Sequence, residues 1–202
     1  MRTGPRGARI AAWLLIAACA SAVPARAADD LDAQGRLMLA PARYDELRPE
    51  ILVARLRLRA SAVVADVGAG PGFLTLVMAR AVPRGRVVAT DVNASYLGVA
   101  ARRAREAGVA NVETRVVTPD DPGLGTRAVD AAVLLQVDHL LADRRAYLGN
   151  LATALRPRGR IVIVNFEAYR RDAIAAARAA GLEIVDEWRP SERYFAVVLV
   201  KR

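Results

Sequence analysis

From residue 62 to the end, the chain alternates between two hydrophobic rhythms. AVVADV (62–67) is a short, almost wholly apolar run, the pattern of a strand covered on both faces. FLTLVMARAV (73–82) then places apolar residues at helical spacing. The pair repeats as RVVAT and ASYLGVAARRAREAG, stopped by Gly108. NVETRVV is a third strand, and AVDAAVLLQV a fourth, followed by the helix DRRAYLGNLATAL ending at Arg156-Pro157. RIVIVNF is a fifth strand, and its helix YRRDAIAAARAAG is closed by Gly181. EIVDEW and YFAVVLVK finish the chain with no helix between them.

Strands alternating with helices imply a parallel sheet covered on both sides. The link RPSER between the last two strands is too short for a crossover, so that pair is antiparallel. The reading is an α/β fold: a doubly wound, mostly parallel sheet over residues 62–202, with one reversed strand near its edge. Residues 28–61 form an N-terminal segment with turns around Pro41 and Pro49. A helix follows them, with Ile51, Leu52, Ala54, Leu56 and Leu58 available for burial.

The first residues follow a different plan. MRTGPRGAR is basic, residues 10–23 are apolar, and Ala25-Arg26-Ala27 precedes two acids. That is the layout of a secretory signal, residues 1–27, and it predicts export to the periplasm or outside the cell. The apolar stretch is short for a membrane span, though a retained anchor is an alternative. Ile16-Ala17-Ala18-Cys19 also has the form of a lipidation site, which would tether the chain to a membrane through Cys19. Cys19 is the single cysteine, so the folded part has no disulfide, thiolate nucleophile or cysteine metal site.

Charge excludes one further class. The formal net charge is +9, of which Arg2, Arg6, Arg9 and Arg26 of the leader supply four units. The remaining arginines are scattered, and aromatics make up only 5%, so no basic groove with stacking platforms for nucleic acid is expected.

The candidate chemistry lies in Asp66-Val-Gly-Ala-Gly-Pro-Gly-Phe73, at the corner after the first strand. Ligands of open α/β sheets sit at the carboxyl ends of the strands. Glycine there permits a sharp turn and a close approach to backbone amides, and a helix beginning near Gly72 offers free N–H groups. The spacing Gly68-x-Gly70-x-Gly72 is one residue shorter than the dinucleotide pattern, which disfavours a nicotinamide oxidoreductase. An acid two positions before the first glycine suits an ammonium group better than a phosphate. Asp91 ends the second strand, where a carboxylate can accept both hydroxyls of a ribose. Asp120 or Asp121, after the third strand, can meet an exocyclic amine. An amino-acid end, a ribose and an adenine without phosphate describe S-adenosylmethionine.

VVADVGAGPGF, VVATDVN, AVDAAVLLQVDHLL and LRPRGRIVIVNF resemble, in order, the motifs of the class I S-adenosylmethionine-dependent methyltransferases. The resemblance runs from about residue 43 to the C-terminus. It implies a seven-stranded Rossmann-like sheet of order 3-2-1-4-5-7-6 with strand 7 antiparallel. It also implies that Asp66, Gly68, Ala69, Gly70 and Gly72 shape the pocket for the methionine end, and that Asp91 and Val92 lie at the ribose. Gln136 would flank the cofactor. The adenine-contacting acid of the family stands directly after the third strand, where this chain has Thr118, with Asp120 and Asp121 two and three residues on.

For methyl transfer, holding nucleophile and methyl in line supplies much of the rate, and a base is needed only if the acceptor must lose a proton. His139, the single histidine, is the candidate base, with Asp138 orienting it; a strand-end cap is the alternative. Arg43 and Tyr44 read as a solvated helix face, or as closing over the methionine end. Only Glu167-Ala168 separate the fifth strand from its helix, so the site is expected to be shallow and open on that side. The acceptor (small molecule, lipid or protein) and the oligomeric state are not specified. Two readings stand: an exported methyltransferase, or an exported non-catalytic binding domain of the same fold, since the cofactor is made in the cytoplasm.

Overall fold

The strands are β1 (Val63–Val67), β2 (Arg86–Asp91), β3 (Val112–Val116), β4 (Val129–Leu135), β5 (Leu155–Phe166), β6 (Leu182–Ser191) and β7 (Tyr194–Lys201). They form one sheet of order β3-β2-β1-β4-β5-β7-β6. Neighbours from β3 through β5 run parallel, while β7 is antiparallel to both β5 and β6. This is the expected seven-stranded topology. The structure is a computed structural model that describes residues 31–202. The leader, the Ala25-Arg26-Ala27 site and Cys19 lie outside the described residues.

Among the described residues seven α-helices accompany the sheet: α1 (Ala33–Met38), α2 (Pro41–Leu47), α3 (Pro49–Arg55), α4 (Thr75–Ala81), α5 (Ala94–Glu106), α6 (Arg144–Ala154) and α7 (Arg170–Ala179). Because strand side chains alternate, the sheet feeds two cores. Val64, Val87, Val133, Val162 and Val164 meet Leu47, Leu52, Met78 and Val99 of α2 to α5 on one face. Ala65, Leu134, Ile161, Ile163 and Phe195 meet Leu148, Leu151 and Ala177 of α6 and α7 on the other. Each large apolar side chain buried there contributes about 1.5–3 kcal/mol.

One helix face and three boundaries differ from the sequence pattern. Helix α3 buries Leu52, Val53 and Leu56, leaving Ala54 exposed and Ile51 54% exposed. Its rotation is set by the elbow at Arg48, which has φ 45° and is followed by Pro49. Strand β5 begins at Leu155, five residues before the apolar run. An irregularity in its pairing with β4 absorbs Pro157, which has no N–H to give a ladder. Strand β6 extends to Ser191. Helix α4 starts at Thr75, not at Gly72, and the Gly72 N–H is spent on the Ala69 carbonyl at 3.1 Å.

Candidate functional site

The glycine corner is a strained turn that only glycine relieves. Gly68, Gly70 and Gly72 have φ of 67°, 55° and 86°, where a Cβ crowds the backbone. Space is short as well. A Cβ on Gly68 would overlap Val137, and one on Gly72 would lie 3.0 Å from the Ala100 Cβ. The Ala69 N–H donates to the Thr90 carbonyl at 2.9 Å, tying the corner to β2.

Asp91 completes that tie. Its Oδ2 accepts from the Gly70 N–H at 2.7 Å and its Oδ1 from the Asn93 N–H at 2.8 Å. Each oxygen keeps a further lone pair, so the carboxylate can hold the corner and still receive two hydroxyls. Arg103, 4% exposed, donates from Nη1 to the Pro71 carbonyl at 2.7 Å and the Gly72 carbonyl at 3.0 Å. Sequence reasoning passed over Arg103. The signal was its helical phase, four residues after the buried Val99.

Asp66 lies inside the corner, only 3% exposed, and accepts from Thr75 Oγ1 at 2.6 Å. Burial pushes its carboxyl up to about 6, against the Thr75 hydrogen bond, and the charge of Asp91 adds to the rise. Asp66 and Asp91 therefore feel one another's charge across the corner.

The N-terminal segment crosses this corner. Asp32 caps α1 through the Gly35 N–H at 2.7 Å and accepts from the Tyr96 hydroxyl at 2.7 Å. The Met38 sulfur would lie 3.1 Å from a Cβ on Gly70. The Arg43 guanidinium stacks 4.4 Å from the Phe73 ring centre and donates to the Met38 carbonyl at 2.7 Å and to Gln136 Oε1 at 2.5 and 3.1 Å. Tyr44 packs on Phe73 with ring centres 4.4 Å apart and accepts from Arg103 at 3.2 Å. The solvated-face reading of Arg43 and Tyr44 is thus corrected: both close onto the corner, because Phe73 and Gln136 offer a ring and an amide to meet. Gln136 itself has φ 59°, and its Nε2 lies 3.4 Å from the Tyr194 hydroxyl.

Asp120 and Asp121 occupy the neighbouring tip, after β3, and are exposed. Asp120 accepts from Thr118 Oγ1 at 2.7 Å, which holds its carboxyl below the usual range. Asp121 accepts from the Gly123 N–H at 2.8 Å. Each carboxylate is engaged in its own turn. Val92, after Asp91, is 57% exposed.

At the β4 tip the sequence pair separates. A 3₁₀ turn over Asp138–Leu140 buries Asp138 completely and leaves His139 half-buried. Asp138, expected to orient His139, is fully buried and reaches the imidazole only through Asn165. Burial raises its carboxyl above the usual range, with Arg144 Nε 3.9 Å away. Asn165 of β5 joins the two, donating from Nδ2 to Asp138 Oδ1 and lying 2.9 Å from His139 Nδ1. The His139 ring stacks on Tyr169, ring centres 4.4 Å apart. The short link after β5 therefore covers this side with one ring, where an open edge was expected. Asn165 and Tyr169 gave no sequence signal beyond their position near a strand end.

The match to known proteins agrees with this geometry. Residues 64–159 match a family model described as a methyltransferase domain. A release factor glutamine methyltransferase of Moorella thermoacetica is 38% identical over 73 residues, covering 36% of this chain and 26% of the relative. A tRNA (guanine-N(7)-)-methyltransferase of Thermus thermophilus is 29% identical over 172 residues, covering 78% of this chain and 54% of its own length. This chain thus spans about half or less of these curated relatives. Among solved structures, a SAM-dependent methyltransferase from Aquifex aeolicus superposes with a TM-score of 0.78 at 20% identity, covering 84% of this chain and 98% of that one. A geranyl diphosphate methyltransferase solved with SAM gives 0.67 at 18% identity, covering 84% and 90%.

Proposed function

We propose that this chain, residues 64–159 of which match a methyltransferase-domain family, is a class I S-adenosylmethionine-dependent methyltransferase that holds S-adenosylmethionine across the tips of β1 and β2 and methylates an acceptor docked at the tip of β4. The observation that carries the reading is the corner itself. Three glycines with positive φ keep side chains out of a cradle, and Asp91 is fixed to it with lone pairs to spare. A ribose suits Asp91, and an ammonium suits Asp66, which has no cationic partner in hydrogen-bonding contact among the described residues. Asp120 or Asp121 would reach an adenine only after leaving its own turn.

When bound, the cofactor supplies an electrophilic methyl on a sulfonium. The chain's part is positional: Val137 packs against Gly68 beneath the corner, and Arg43, hydrogen-bonded to Gln136, would stand beside the bound cofactor. Alignment of the acceptor supplies much of the acceleration. The acceptor remains open among small molecules, lipids and proteins, and the leader supports export of the protein, free or tethered at Cys19.

The second reading, a binding domain without turnover, draws on Met38, whose thioether lies over Gly70. Incubation of the full chain with methyl-tritiated S-adenosylmethionine and fractionated cell extract separates the two. Label in an extract component, lost with Gly70→Val, supports the enzyme; retained cofactor binding with no label in any fraction supports the binder.

A further inference from the structure

His139 is held on two sides, and the atoms that hold it determine where its proton sits. The amide of Asn165 has a known orientation, because its Oδ1 accepts from the Phe166 N–H at 2.8 Å and a backbone N–H can only donate. The other end of the amide is therefore the NH2. It donates to the Asp138 carboxylate and points at His139 Nδ1 from 2.9 Å. Facing a donor, Nδ1 must be the acceptor, which in a neutral imidazole puts the hydrogen on Nε2. Tyr169 covers one face of the ring. Nε2 makes no hydrogen bond among the described residues and is not buried. The turn carrying it begins directly after Val137, which seals Gly68.

We infer that His139 presents a fixed Nε2–H to the acceptor, as a hydrogen-bond donor and not as a base, and that Asn165 is the positioning residue that fixes this tautomer. The group docked there brings a lone pair: a carboxylate, carbonyl or phenolate oxygen satisfies Nε2–H, whereas an alcohol awaiting deprotonation finds no base. This deepens the methyl-transfer reading and rests on it for the identity of the docked group. The arrangement also opposes ring protonation, since Nδ1–H would face a second donor. Burial acts in the same direction, as does Arg144 of α6, while Asp138 in the same turn opposes them; the net effect holds the ring below the usual histidine range.

Because His139 is the only histidine, the full chain prepared without a histidine tag and labelled with 15N-histidine gives one imidazole to read. At pH 7.5 without cofactor, the expected spectrum is a neutral ring protonated at Nε2. In Asn165→Asp, an acceptor replaces the donor, so the proton is expected to move to Nδ1 and the titration midpoint to rise. A merely structural role for Asn165 would change stability and leave the tautomer unaltered. Wild-type protein with the proton on Nδ1, or with a charged ring at pH 7.5, overturns the inference even if the variant does not fold. So does a folded Asn165→Asp that keeps the wild-type tautomer. Failure of the methyl-transfer reading would appear in cofactor binding instead and would leave this spectrum untouched.

Discussion

The two ends of the site are built by different means. At the β1–β2 corner the geometry is made by the backbone: glycines in left-handed conformations, peptide N–H groups and one carboxylate gripping them. At the β4–β5 tip it is made by side chains from separate elements, with Asn165, His139, Asp138 and Tyr169 locking one another. A backbone-made site tolerates almost no substitution at its turning points. A site made of side chains can be retuned one residue at a time.

Breaking the backbone-made end should have the largest effect. Gly68→Val meets an unfavourable φ and overlap with Val137 together, so a loss of about 2–5 kcal/mol is expected in thermal or urea unfolding. Tolerance of Val at Gly68 with an unchanged melting temperature would show that the corner is not strained.

Asp66→Asn sharpens the contrast between stability and binding. The folded carboxyl titrates near 6 instead of 3.8. Between those values the native state holds more protons than the unfolded one, so stability falls as pH rises through that window, and the full penalty applies above 6. The amide keeps a hydrogen-bond acceptor for Thr75 and carries no charge. It should stabilise the apo-protein by about 1–3 kcal/mol at pH 7.5 and flatten the slope between pH 4 and 6. The same change should weaken S-adenosylmethionine binding, because the ammonium loses its anion. In the wild type, that binding should strengthen from pH 5 to pH 7. Equal stability of both proteins at pH 7.5 would contradict the account of Asp66.

Smaller effects test the covering segment. Tyr96→Phe removes the hydroxyl that reaches Asp32 and should cost about 0.5–1 kcal/mol, with faster amide exchange in α1 than in α5. Exchange that is unchanged in α1 would mean the bond does not hold that helix down. Gly98→Ala is the counterpart to Gly68: it sits on the exposed face of α5 with nothing near its absent Cβ. A gain of about 0.5–1 kcal/mol is expected, and a loss would argue against the helix as described.

The same division explains what could be read before the structure. The reversed last pair and the corner were legible because glycine spacing, Asp91 at a strand end and apolar rhythm each constrain backbone geometry locally, whereas the strand order came only with the family resemblance of the ordered motifs. His139 was visible as a rare residue. Its partner was not, because Asn165 comes from another strand and its meaning depends on which way an amide points. Arg43 was misjudged for a related reason: an arginine in a polar-looking helix is exposed by default, and only the fold shows Phe73 and Gln136 waiting beneath it. The start of β5 was hidden by Pro157, a residue that breaks ladders except at irregularities.

The central claim is that the nucleoside lies across the first two strand tips with its sugar on Asp91. Calorimetric titration of S-adenosylmethionine into the full chain, wild type beside Asp91→Ala, tests it directly. The account predicts saturable binding weakened in the variant by about 1.5–3 kcal/mol, the scale of hydrogen bonds to a charged group. No heat with millimolar cofactor, or equal affinity in both proteins, would contradict it.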